Sequence, residues 1–126
     1  MQDGLEAQIK SQLNTEIAAM QTSYQTIQAY LAGAEYDKLE VVGAVQAFKN
    51  SLGRVSTHVM AFYQLKGQKT KITWQPLLDN LETALENIKS SRNAQPRGAV
   101  QLALDMSEPS IAEVMSFLEK LQKSLS

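Results

Sequence analysis

The sequence has no cysteine, one histidine, one tryptophan and three prolines in 126 residues. Without thiols there is no disulfide framework, thiolate zinc site, iron–sulfur cluster or cysteine nucleophile. A lone His58 cannot supply the imidazoles of the usual multi-histidine metal sites. A di-metal carboxylate bundle needs a Glu three positions before a His on each of two helices, and here that position holds Val55. Charge of one sign is also missing. Twelve Lys+Arg against 13 Asp+Glu leave a net charge of −1, so there is no global pull toward nucleic acid. No Gly-x-Ser-x-Gly elbow and no glycine-rich phosphate loop is present, Gly67 standing alone beside Lys66. No run approaches the roughly 20 apolar residues of a membrane span. Met1-Gln2-Asp3-Gly4 brings neither a basic nor an apolar leader region. The expectation is a cytoplasmic protein, although an exported domain stripped of its signal would read the same.

Helical periodicity fills most of the chain. Leu5, Ile9, Leu13, Ile17, Met20, Tyr24, Ile27 and Leu31 recur at gaps of three and four, opposite a face rich in glutamine. This predicts a helix over about residues 4–32, with Asp3 as cap, Glu6 in the capping-box position and Gly33 as stop. Val41, Val45, Phe48, Leu52, Val55, Val59 and Phe62 average 3.5, the coiled-coil period. They predict a second helix over about residues 38–66, capped by Asp37 and closed at Gly67. Gly43 and Gly53 inside it are read as sites of close helix packing, with Ala44 and Ala47 set against Ala29 and Ala32. Thr73 and Pro76 open a third helix over about residues 74–92, buried through Leu77, Leu78, Leu81, Leu85 and Ile88. Ser107 opens a fourth over about residues 108–125, buried through Ile111, Val114, Met115, Leu118, Leu121 and Leu125.

The expected fold is therefore a single all-α domain, an antiparallel up-down four-helix bundle. It has a long hairpin of the first two helices and two shorter helices beside it. The shorter pair cannot cover the whole hairpin, and the part expected to lack cover is its turn end, near Gly33. The connection over residues 93–107 emerges there. Its apolar residues, Val100, Leu102, Leu104 and Met106, alternate as in a strand, yet alanine and leucine favour helix and no second strand candidate exists to pair with it, so an ordered or partly helical connection is expected. Either this segment folds back over the stripe, or the stripe is left for a partner. Tyr30, Tyr36, Val100, Leu102 and Leu104 are the candidate partner-binding residues on that account.

The polar residues suggest little chemistry. His58 flanks the second stripe and reads as a boundary residue. Asp79, Glu82 and Glu86 share the solvated face of the third helix, and no catalytic, cofactor-binding or metal-ligating set emerges. Lys66, Lys69 and Lys71, joined by Lys120 and Lys123 at the end of the fourth helix, would make one end of the bundle basic. Trp74 reads as the lid of the core there. The leading expectation is a non-enzymatic protein–protein interaction module, an adaptor, small chaperone or subunit of an assembly, binding a protein partner or a second copy. The alternative is a nucleic-acid-associated small subunit using the basic end.

Overall fold

The computed structural model describes residues 2–68, 74–92, 95–105 and 111–125. Five helices follow one another: α1 (Gln2–Leu31), α2 (Lys38–Leu65), α3 (Gln75–Ser90), α4 (Arg97–Asp105) and α5 (Ile111–Leu125). Among the described residues every regular element is helical.

The two long stripes become one seam. Ile9, Leu13, Ile17, Met20, Ile27 and Tyr30 of α1 are buried with Val41, Val45, Phe48, Leu52, Val55, Val59 and Phe62 of α2. Cross-helix pairs show the direction. Glu6 meets Lys66 at 2.8 Å, Glu16 meets Arg54 at 2.9 Å, and the rings of Tyr24 and Phe48 lie 5.9 Å apart. Ascending one helix descends the other, so the pair is antiparallel. Gly33, at φ +117°, lets Ala34 N–H reach Ala29 O at 2.9 Å and its own N–H reach Tyr30 O at 3.1 Å, which closes α1. Gly67, at φ +71°, closes α2 with the same pair of bonds. Asp37 accepts a hydrogen bond from Glu40 N–H at 2.8 Å, the expected cap of α2. Asp3 lies inside α1, which starts at Gln2, rather than before it. Thr73 and Ser107, the other expected caps, lie outside the described residues.

α3 runs antiparallel to α2. Lys49 pairs with Glu82, and the Lys38 ammonium donates to the carbonyls of Lys89 at 3.1 Å and of Ser91. Pro76 sits in the first turn of α3, and Trp74 precedes it with its ring buried edge-on to Phe117 at 6.0 Å. The indole is the expected lid, on the face where α3 begins. α5 descends along α1, with Ile111 and Ala112 near Gln28 and Leu31, and Gln122 donating to Asn14 at 3.4 Å.

This placement corrects the expected length mismatch. At 1.5 Å per residue α1 is about 45 Å long and α3 about 24 Å, and the short helices gather at the turn end. The stretch they leave is the opposite one, the open end of the hairpin. Burial fades there, from the enclosed Leu13 and Val59 to Ile9 and Phe62 near the limit of the core and to Leu5, 49% exposed.

The segment between α3 and α5 folds back as the helix α4. Positions 100 and 104 then share one face, so Val100 is buried and Leu104 half-buried against the core, while Leu102 points away. The alternation of apolar residues was a coincidence of spacing. The packing account of the α2 glycines also fails. Gly43 and Gly53 have nothing within 4 Å of where a Cβ would stand, and Gly43 and Ala47 face solvent.

Candidate docking surfaces

The turn end carries the residues first suspected of partner binding, and the structure separates them. Tyr30 is enclosed in the core and Val100 lies beneath α4, so neither offers a surface. Tyr36 and Leu104 are half-buried against the core. Leu102, 59% exposed, is the one of the five that stands in water.

What fastens this end is Arg97, a residue of the 93–107 connection that the sequence does not single out. Its Nε donates to Tyr30 O at 3.0 Å and its Nη2 to Ala34 O at 2.9 Å, while the guanidinium lies 4.7 Å from the Tyr30 ring centroid. The acceptors are carbonyls at and just beyond the end of α1: Tyr30 O, which already takes the Gly33 N–H and offers Arg97 its second lone pair, and Ala34 O, which lies past the helical ladder. Gln95 adds a bond from Nε2 to Tyr36 O at 3.1 Å. Lys38 does for the end of α3 what Arg97 does for α1. Both cations sit in the first turn of their own helix, where the helix dipole disfavours positive charge. That local conflict was the available signal: a cation in the wrong place locally has its partner elsewhere. Under the same cover the Tyr30 hydroxyl is buried without a hydrogen-bond partner among the described residues.

The expected basic end does not form a single patch among the described residues. Lys66 is engaged by Glu6 and lies over the Phe62 ring, 5.7 Å from its centroid. Lys120 and Lys123 are exposed on α5. The end of α5 lies level with Asn14, about 12 Å along α1 from Glu6 at the helical rise. Lys69 and Lys71 lie outside the described residues.

Two carboxylates are shifted, each by a lysine. A hydrogen bond from Lys66, helped by Lys10, holds Glu6 below the usual glutamate range, and Lys49 does the same for Glu82. His58 is half-buried on the rim of a shallow hollow of about 630 Å³ that also takes in Lys49, Gly53, Arg54, Leu78 and Asp79. Among the described residues no three of His, Asp and Glu come together in a group that could hold a metal ion. None of the described helices is long and apolar enough to cross a membrane.

Large apolar side chains left in water mark the remaining surface. Leu39 is 82% exposed and Met60 43% exposed, both on the outer face of α2, and Leu5 stands at the open end of α1. With Leu102, these are the exposed large hydrophobics of the described chain. Against known protein families, curated proteins and solved structures, the chain finds no match.

Proposed function

We propose that the chain is a non-enzymatic protein–protein interaction module, an adaptor, small chaperone or assembly subunit, that docks through its helical hairpin. In this reading α1, α2, α3 and α5 make up an antiparallel up-down four-helix bundle, and α4 is the clasp over its turn. The observation that carries the reading is the location of the exposed large hydrophobics. Leu5, Leu39 and Met60 all belong to the hairpin, and Leu102 stands beside its turn. Scattered apolar residues are ordinary on a protein surface, but here they sit on the pair of helices that outruns its cover.

The test is affinity capture of partners with the full chain, followed by the same capture with Leu5→Asp, Leu39→Asp and Leu102→Asp. All three positions are exposed, so the helical circular-dichroism signal is expected to persist. Loss of association in one of the hairpin variants supports the reading. Association untouched by all three, with the fold intact, removes it. Association that instead collapses with added salt and with Lys120→Glu would point to the nucleic-acid alternative.

A further inference from the structure

We infer that the outer face of α2 is a contact between two copies of this chain, packed antiparallel about a two-fold axis near Asn50. The inference rests on the hairpin-docking reading and gives the hairpin a specific partner.

α2 carries two heptad seams. One is the buried stripe already described. The other lies on the opposite side and runs Leu39, Gly43, Gln46, Asn50, Gly53, Thr57, Met60, Gln64, again at alternating gaps of four and three. That is the period at which one helix keeps a constant face toward another. Leu39, Gly43, Asn50, Thr57, Met60 and Gln64 are exposed, and Gln46 and Gly53 are only half-covered. None of the eight is charged. A helix facing only water would ordinarily carry charged residues on this side.

Between Leu39 and Met60 the seam is its own complement when reversed, Gln64 lying beyond the last pair. Set antiparallel about Asn50, Leu39 meets Met60, Gly43 meets Thr57, Gln46 meets Gly53 and Asn50 meets Asn50. The two ends are apolar pairs. The intermediate layers set a smaller residue against a larger one, and the centre pairs two amides that can hydrogen-bond to each other. Such self-complementarity is the requirement of a two-fold contact, in which each copy offers the same patch.

Charge agrees with a second copy as the occupant. The seam itself is uncharged and meets itself without like-charge repulsion; Asn50, Gly53 and Thr57 also line the hollow beside α3, whose far wall carries Asp79 and the Lys49-paired Glu82. The nearest cations are already engaged, Arg54 by Glu16 and Lys49 by Glu82. Glu40 and His58 lie on one flank of the seam, five helical turns apart, so the reversal brings Glu40 of one copy beside His58 of the other. Each of the seam glycines disfavours the helix by up to about 1 kcal/mol relative to alanine. The chain's own packing explains neither, since the space where each Cβ would stand is open. A second helix lying against them accounts for both.

The absence of cysteine makes the test clean. Full-length Asn50→Cys is expected to cross-link to itself under mild oxidation. Leu39→Cys should cross-link efficiently to Met60→Cys and not to itself. By light scattering, wild type is expected at twice the chain mass, falling to the single mass on dilution. Asn50→Glu and Asn50→Lys should each give the single mass with an unchanged helical signal, and an equal mixture of the two should recover the double mass. A wild type of single mass across the concentration series, or an Asn50→Glu variant that keeps the double mass, overturns the inference. The hairpin-docking reading fails only on the separate capture test, so the two failures are distinguishable.

Discussion

Arg97 and Lys38 show how one side chain can answer a problem set by another helix. The last carbonyls of a helix lack part or all of their usual bonding, and each of these cations supplies donors to such carbonyls from a different element, Tyr30 O keeping the Gly33 N–H as well. Arg97 does so in two directions at once. Arg97→Met should therefore destabilise the fold by about 1–3 kcal/mol, the cost of leaving such acceptors buried. Arg97→Lys should recover only part of that loss, because an ammonium lacks the fork geometry and the flat face set over Tyr30. Denaturant melts of the three proteins measure both effects. Tyr30→Phe tests the same place from the other side. Its hydroxyl has no partner among the described residues, so its removal should leave stability unchanged or raise it. A loss of more than about 1 kcal/mol in the same melts would mean that the hydroxyl is satisfied after all.

At the scale of elements, α2 is the most readable and α4 the least. Seven apolar residues at strict heptad spacing admit one reading, and α2 ends within a residue of the expected boundary at residue 66. The nine residues of α4 are too few for periodicity to decide between strand and helix. What decides is the surface they dock on, made by α3 and the end of α1, and the α1 part of it lies more than 60 residues away in sequence. The same long-range docking put Tyr30 and Val100 in the core. A stripe shows which residues seek cover, and it does not show which later segment provides it. The axial position of α3 was hidden for a related reason, since the contacts that mark it, Lys38 with the carbonyls of residues 89 and 91, join positions more than 50 residues apart. Among candidate sites, Leu102 was legible as exposed and the outer seam of α2 was masked by the stronger inner one. Gly43 and Gly53 give this scale its prediction. Both are helical and both have free space at the Cβ position. Gly43→Ala and Gly53→Ala should each stabilise the chain in dilute solution by up to about 1 kcal/mol. A rise in Tm of about 3–5 °C is the expected reading. A fall in Tm would mean the space is not free.

Across the whole molecule, the ion pairs that tie helix to helix lie on the surface, so they tune stability with pH and do not found it. Glu6 and Glu82 are held below their ordinary range by Lys66 and Lys49. A carboxylate whose folded-state pKa is depressed contributes stability above its unfolded pKa, and the contribution is lost as pH falls through the folded value. Tm should therefore be level with respect to these two groups above about pH 5 and decline below about pH 4. Lys66→Met combined with Lys49→Met should flatten part of that decline. A wild-type profile unchanged by the double substitution would show that other carboxylates set the acid limit.

The gathering of the short helices at one end gives the hairpin two ends of unequal permanence. At the turn, opening α1 requires releasing Arg97, lifting α4 and exposing Tyr30. At the open end a few residues of α1 can part from α2 with little core to disrupt, since Leu5 is already half in water. Backbone amide exchange should therefore run as a gradient along a single helix, fastest around Gln8 and slowest around Ile27, the slow end tracking global unfolding. A partner that grips the open end would erase that gradient without touching the turn.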